Sequence, residues 1–443
     1  MKGFTGKMAW TVGGFFASSG LRFILNIILA HLLAPEIMGV MVVVNAVRLG
    51  IDLLTDVGIE QNIIHHPDGL TKAFRDTAWT MQVLRGVFLS ALFALAAPFL
   101  ADAYHIDVRI FLLAACAPLL NGLHSTAVFV LVKQMEVRRR NQFELGSEGL
   151  AFIVSVALAW SLRSVWAPAL ALVAAAAIRP ALSFLLPEAR QSFRMDAEIR
   201  RRIVQFGKWI MVTSLVMYAA TNLDRLYLGR AVPIALVGIY GIARAIADLP
   251  TNLARRLSYQ IIFPAIVAAR NGEADGVEHH MARSRLVFVA GVCCALAVGA
   301  GIGDWLIGLL YDHRYASAGW ILGVLLIGGV FAVLSNLNEA LLLGVGRPAL
   351  SSYANAARFV TMAALLPLGL HYGGFAGAVI AIAFVELCQY AYISAGLLRM
   401  RLGYWRQDGL ALVSSAIMLG GVCALRSAMG LGTSFAPIRG LLP

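Results

Sequence analysis

Nine arginines, Arg22, Arg48, Arg85, Arg179, Arg225, Arg244, Arg255, Arg256 and Arg358, fall within or at the margins of long apolar runs of this 443-residue chain. A charged side chain at the centre of a bilayer costs about 2.5–3.5 kcal/mol on insertion scales, so such residues normally face a wet cavity or a partner. Arginine stays protonated in a partly dry site and grips phosphate oxygens in pairs. The set therefore implies a cationic cavity and an anionic ligand. We take Arg22, Arg48, Arg85, Arg225, Arg244 and Arg358, with Asn26, as candidate ligand-binding residues. Ser18, Arg22 and Asn26 recur at four-residue spacing, one polar stripe on a helix, and Ser214, Tyr218, Thr221 and Arg225 make a comparable stripe.

Acids accompany the bases. Arg48 with Asp52 and Arg244 with Asp248 are i, i+4 pairs. They admit two readings: neutralised structural units that let both charges insert, or direct participants in ligand or proton handling. Asp52, Asp248 and Asp224 are candidates for ion coupling, and Asp56, Glu339 and Glu386 are further acids within apolar runs that no spacing singles out. Arg179, Arg255 and Arg256 can be satisfied by snorkelling to headgroups. The doublets His65-His66 and His279-His280 fall between apolar runs and read as solvated loops rather than metal ligands.

The elements that must hold these residues are membrane-spanning helices. Hydrophobic residues make up 60% of the chain and charged residues only 14%, against about 25% charged in soluble domains, which excludes a soluble enzyme. Apolar runs long enough to cross about 30 Å of hydrocarbon read as helices at 9–33, 37–60, 78–101, 109–133, 142–162 and 165–187. A second series follows at 205–230, 233–268 (broken at Pro250), 284–312, 317–344, 350–370 and 373–399, and a thirteenth run at 408–425. The reading is an all-α integral membrane protein of about 12–14 transmembrane helices. Its expected parts are an N-terminal six-helix lobe (1–187), a basic cytoplasmic linker (188–204), a C-terminal six-helix lobe (205–399), and an extra helix with a tail (400–443). The first apolar segment is too long for a signal-peptide core and is expected to be kept as a span.

Charge fixes the orientation. With the N-terminus in the cytoplasm, 21 Lys and Arg lie in inward segments and six in outward ones, as the positive-inside rule requires. The formal net charge of +12 is thus a matter of topology, and no nucleic-acid partner is expected. The five cysteines sit in apolar runs without ligand spacing and read as small hydrophobes.

The two lobes repeat. Arg48–Asp56 and Arg244–Asn252 share Arg, Asp, Leu and Thr at matching places, with an Asp/Asn exchange at the end, and upstream Pro35 matches Pro233 and Gly39 matches Gly238. Six helices return the chain to its starting side, so the copies enter the membrane in the same direction. A parallel repeat of this kind places a transport pathway between two similar lobes.

Absences narrow the chemistry. There is no GxxxxGK[ST] phosphate loop, no Asp-x-Asp pair, no catalytic triad and no metal-ligand set, so neither a cofactor nor an enzymatic activity is expected. The run Gly299-Ala-Gly301-Ile-Gly303 sits among apolar residues and reads as a close-packing surface.

Asn222-Leu-Asp224-Arg-Leu-Tyr-Leu-Gly229-Arg, then Val237-Gly238-Ile-Tyr240-Gly-Ile-Ala243 and Phe263-Pro264, resemble the pattern of polysaccharide repeat-unit flippases, as do the Leu32-Leu33-Ala-Pro35-Glu-x-x-Gly39 corner and the Arg138-Arg139-Arg140 loop. These belong to the multidrug/oligosaccharidyl-lipid/polysaccharide exporter superfamily. The resemblance implies two six-helix lobes around a cavity open alternately to each side. It implies a bacterial inner-membrane flippase that moves an undecaprenyl-pyrophosphate-linked oligosaccharide for O-antigen, capsule or exopolysaccharide assembly, beside a polymerase and glycosyltransferases. A lipid pyrophosphate suits an arginine-lined cavity. Two alternatives are a cation-coupled drug exporter of the same fold, which an arginine-rich cavity disfavours, and a non-transporting scaffold of a polysaccharide synthesis complex.

The orientation is testable in a cysteine-free background. Arg139→Cys and Arg201→Cys should be shielded from an impermeant thiol reagent in intact cells, and Arg314→Cys should react; labelling at 201 without labelling at 314 would invert the topology.

Overall fold

The computed structural model describes residues 2–187, 189–258, 277–400, 402 and 404–436, all helices, turns and loops. Among the described residues the helices are α1 (Lys2–Leu32), α2 (Pro35–Leu53), α3 (Ile59–His65), α4 (Lys72–Tyr104), α5 (Val108–Ala114), α6 (Cys116–Gly122), α7 (Ala127–Lys133), α8 (Val137–Leu162) and α9 (Trp166–Ser183). They continue as α10 (Ala197–Ala231), α11 (Ile234–Leu257), α12 (Val277–Gly301), α13 (Gly303–Leu310), α14 (Ala318–Gly344), α15 (Pro348–Arg399) and α16 (Trp405–Ala428).

Eight of these are long and apolar enough to span a bilayer, and the bent pairs α5–α6 with α7 and α12 with α13 each pass as one broken span. α15 is two helices joined at Gly373 and Gly374, whose backbone is non-helical. The apolar part of α1 (Phe16–Leu32) is shorter, and α2 carries Glu36, Arg48 and Asp52 within 19 residues, which keeps it out of a count by hydropathy alone. Together they account for the thirteen runs read from the sequence.

Several boundaries differ from the expected ones. α2 stops at Leu53 instead of 60, because Asp56 accepts the Gly58 amide (3.1 Å) and Gly58 turns left-handed (φ +59) before α3 begins. The expected span 109–133 is broken, with a 57° bend between α6 and α7, and the expected span 284–312 bends by 74° at Ile302. α11 runs through Pro250 without interruption to Leu257, as helix-breaking residues can when neighbouring groups compensate; the rest of that expected run lies outside the described residues. The basic linker is shorter than read: α10 starts at Ala197, capped by Asp196 on the amides of Glu198 and Ile199.

The chain divides into two compact units, Met1–Ala219 with Arg225–Gly238, and Ala220–Asp224 with Ile239–Pro443. α10 thus contributes to both. In the first unit, Gly39 and Gly238 make a reciprocal contact. A Cβ on Gly39 would collide with the Ile234 carbonyl oxygen, and one on Gly238 with that of Pro35. Each glycine meets the carbonyl four residues before the other, so the two matched positions of the sequence repeat occupy equivalent places in one contact.

In the second unit α14 is the core helix, with 83% of its most apolar window buried. Its glycines admit close neighbours: Gly319 lies against Asp304 backbone, Gly323 against the Ala300 carbonyl and Gly328 against Ala383. Gly299, Gly301 and Gly303 face Leu326, Val422 and the Gly319 carbonyl respectively, a packing surface as read, although the helix breaks within it.

α16 lies along α12 and α13 in parallel register, held by polar contacts at both ends. Arg285 pairs with Asp408 (2.8 Å) and donates to Asn338 (3.0 Å), Cys294 meets Ser414 (3.6 Å), and Arg426 pairs with Asp304 (2.6 Å). Ser434, beyond α16, donates to Gly301 O and Asp304, both at 2.6 Å. The thirteenth run therefore matches a broken span from end to end, and the described tail lies at the Asp304 end. Arg285 is one of the 21 inward and Arg426 one of the six outward charges counted between the apolar runs. Both are instead buried, at 6% and 8% exposure, because each has a carboxylate from another helix.

The reciprocal glycine contact gives a direct test. Gly39→Val and Gly238→Val should each abolish recovery of monodisperse protein from membranes, since backbone oxygen cannot move aside, whereas Gly146→Ala, in open space, should leave it unchanged; normal recovery of either valine variant would refute the contact.

Candidate functional site

In the first unit the cluster is built on the last turns of α2. Arg48 Nη1 donates to Asp52 at 2.9 Å, with both side chains about a quarter exposed. Arg85, reaching from α4, donates to the Asp52 carbonyl oxygen and, through Nε, to Thr55 (3.2 Å). That carbonyl is available because α2 ends one residue later. The cluster thus rests on the break that the sequence reading had placed several residues further on. The Nε of Arg48 is buried with no hydrogen-bond partner.

Beside it lies a cavity of about 380 Å³ whose wall includes Asp52, Asp56, Arg85, Asn121, His124 and Arg179. It exists because the span α5–α7 is interrupted at 123–126. Broken helix backbone is tolerated at membrane depth only when its freed groups find partners, and here they do. Gln82 donates to the carbonyls of Gly122 (3.1 Å) and His124 (2.8 Å), Trp79 to that of Leu123 (3.4 Å), and Ser183 accepts the Ser125 amide (2.8 Å). Gly86 and Gly122 let α4 and α6 approach closely enough for these bonds. Gln191, in the linker, fastens Ser125 (2.9 Å) and Thr126 (3.0 Å). Asp76 holds the linker in turn, through the amide (3.1 Å) and hydroxyl (2.6 Å) of Ser192.

In the second unit the matching arginine is more enclosed than Arg48. Arg244 meets Asp248 at 3.0 Å and Asp224 at 3.9 Å, with side-chain exposures of 13%, 29% and 1%. Tyr240 donates to Asp224. Arg358 pairs with Glu386, both nearly enclosed. Nearby on α15, Asn355 bridges Glu339 (3.2 Å) and Gln389 (3.2 Å).

The candidates therefore separate. Arg48, Asp52 and Arg85 come together in the first unit, as Arg244, Asp248 and Asp224 do in the second, while Arg358 has its own acid. Arg22 is exposed and pairs with Glu148 of α8, an acid the sequence reading did not consider, so the polar stripe on α1 is met by another helix of its own unit. Asn26, one turn on, is half-buried, as is Arg225 on α10. Arg179, read as snorkelling, lines the cavity and is about half exposed, 4.0 Å from Glu144. Arg255 donates to Asn252 (2.9 Å). His65 and His66 stack on Phe206 and Phe74, and no group of metal-binding residues occurs among the described residues; the side chains of His279 and His280 lie outside them. Sequence reasoning missed His124, Asn121 and the residues that hold the break, although the polar string Asn121-Gly-Leu-His-Ser-Thr126 within an apolar run was a legible sign of it.

This arrangement, all-helical, with broken spans and charge clusters inside the membrane-spanning region, has the fold of the multidrug/oligosaccharidyl-lipid/polysaccharide exporter superfamily. A solved structure of the lipid II flippase MurJ in an inward closed conformation superposes with a TM-score of 0.73 at 11% identity, covering 93% of this chain and 91% of that one. An inward-facing multidrug MATE transporter superposes with a TM-score of 0.65 at 16% identity, covering 86% and 94%. Residues 28–318 match the model of the polysaccharide biosynthesis protein family, and the chain belongs to that family. Among relatives, the teichuronic acid biosynthesis protein TuaB of Bacillus subtilis (strain 168) is 23% identical over 358 residues, 80% of this chain and 71% of that protein. The succinoglycan biosynthesis transport protein ExoT of Rhizobium meliloti (strain 1021) is 22% identical over 264 residues, 59% of this chain and 53% of that protein. This chain is a multi-pass membrane protein of the polysaccharide biosynthesis protein family, with the fold of these transporters.

The buried Arg244 cluster makes a stability prediction. Removing one member of a buried ion pair costs about 3–5 kcal/mol because the partner charge is left uncompensated. Arg244→Gln should therefore sharply lower the thermal unfolding temperature in detergent, and Arg244→Gln with Asp248→Asn should recover part of it. A single variant as stable as the parent would show that the acids do not depend on Arg244.

Proposed function

We propose that this protein is a flippase that translocates an undecaprenyl-pyrophosphate-linked oligosaccharide repeat unit across the bacterial inner membrane by alternating access of two lobes, with its N-terminus in the cytoplasm. The observation that carries the reading is the arginine pairing geometry: Arg48 holds Asp52 at 2.9 Å through one terminal nitrogen, yet about a quarter of its side chain stays exposed. A guanidinium so placed is neutralised enough to sit within the spans and still has donors for a phosphate oxygen. Arg85 at the Asp52 carbonyl adds a second cation to the first-unit cluster.

In this mechanism the arginines bind the pyrophosphate, the sugars occupy hydrated space and the polyprenyl chain stays in lipid. Asp52, Asp224 and Asp248 sit beside the guanidiniums and are the groups through which an ion gradient would act. The sequence holds no nucleotide loop, so energy comes from such a gradient or from consumption of the product by a polymerase. Membership of the polysaccharide biosynthesis family and the arginine clusters both support this substrate over an organic cation.

Arg48→Lys keeps the charge and the pairing with Asp52 but loses the bidentate fork. In a flippase-null host, surface polysaccharide normalised to protein in the membrane should fall at least about tenfold, the effect of ~1.4 kcal/mol. Exchanging the pair, Arg48→Asp with Asp52→Arg, should insert normally but not restore export. Full export by both variants would reduce the pair to mutual neutralisation and remove the basis of the proposal.

A further inference from the structure

We infer that the cavity inside the first unit is a binding site for one or two uncharged sugar rings, adjoining the Arg48 cluster through Asp52 and Arg85, which line its wall. Its volume, about 380 Å³, lies at the small end of the range of small-molecule sites and is too small for a whole oligosaccharide. The lining is a mixture suited to hydroxyls and unsuited to an anion. Asp52, Asp56 and Glu60 supply carboxylates and Arg85 and Arg179 guanidiniums, Asn121 supplies an amide with both donor and acceptor, and Phe129 a ring wall. A sugar hydroxyl both donates and accepts, so adjacent hydroxyls are matched by neighbouring acceptor-only and donor-only planar groups. A phosphate would meet three carboxylates, whose repulsion two guanidiniums, one of them already donating to the Asp52 carbonyl and to Thr55, do not overcome.

Two independent observations point to a ligand rather than to a solvated crevice. His124 lines the cavity, is 8% exposed, and its buried Nε2 has no hydrogen-bond partner in the protein. Its ring is gripped by Phe129 and Phe143, at centroid distances of 5.8 and 6.0 Å. An imidazole nitrogen buried without a partner is costly, and a ligand hydroxyl relieves that cost. Moreover, the site is built by breaking a span and satisfying the freed backbone with Gln82, Trp79 and Ser183, a construction that a water-filled dent does not need. Discontinuous helices mark binding sites in transporters for this reason.

That the sugar is the glycan end of a lipid-linked repeat unit rests on the flippase reading; that the site takes a hydroxyl-rich ligand rests on the geometry alone. The probe is the pool of water-soluble glycans released by mild acid from the lipid extract of the native host lacking this flippase, so that no pyrophosphate remains. Binding to the purified full-length protein in nanodiscs is followed by saturation-transfer NMR and titration. The parent should bind the glycan, and Asn121→Leu, Glu60→Gln and His124→Phe should each weaken it at least about tenfold, the usual effect of losing a hydrogen bond to a charged or buried group. Gly146→Ala, away from the cavity and in open space, should bind it as the parent does. Three different substitutions, each checked for unchanged thermal unfolding, guard against a folding defect in one of them. No binding by the parent, or equal binding by all three variants, overturns the inference. The parallel measurement is polysaccharide export by the parent in the flippase-null host. Glycan binding without restored export would refute the flippase reading and leave the sugar site standing, whereas restored export with no glycan binding would do the reverse.

Discussion

A guanidinium placed among hydrocarbon chains has to find its counter-charge within the protein, and this demand organises the whole molecule. Arg48, Arg244, Arg285, Arg358 and Arg426 all meet a carboxylate, and for all but the i, i+4 partners of Arg48 and Arg244 that carboxylate comes from a distant part of the chain. Helices that carry such residues cannot slide or rotate independently, because moving one strands the other charge. The pairs therefore fix register between helices whose surfaces otherwise offer only apolar side chains, which lipid could match equally well.

The same accounting applies to the backbone. Where the fold interrupts a span, it supplies partners for the exposed carbonyls and amides. Gln82, Trp79 and Ser183 serve the break at 123–126, and Asn62 serves the break after α2, donating to Val57 O and Gly58 O, both at 2.9 Å. Interruptions supported in this way create polar space inside a helical unit at a depth where unbroken helices would present only side chains. The polar cavity of the first unit and the Arg85 contact with the Asp52 carbonyl both follow from interrupted helices.

The two halves of the sequence repeat are not used identically. Arg48 is about a quarter exposed and has Arg85 beside it, whereas Arg244 is more enclosed and has a second acid, Asp224, and a tyrosine on that acid. One copy brings two guanidiniums to a single paired carboxylate, the other two carboxylates to a single, more enclosed guanidinium.

What the sequence determined by itself was whatever depends on composition and short-range spacing: the membrane-spanning class, the thirteen apolar runs, the i, i+4 pairs, the matched glycines of the repeat and the resemblance to repeat-unit flippases. These were legible because hydropathy over twenty residues and the helical period are local properties of a chain. Tertiary structure alone decided which charges became partners across the chain. Arg285 and Arg426 looked like loop cations until Asp408 and Asp304 were brought to them, and Arg22 found Glu148 across 126 residues. It also decided where spans break, since an apolar run with a few polar residues can remain helical unless side chains elsewhere, such as Gln82 and Trp79, are positioned to take over its backbone hydrogen bonds. Such partners lie far away in sequence, and no local pattern of charge or hydropathy records the distance between them in space.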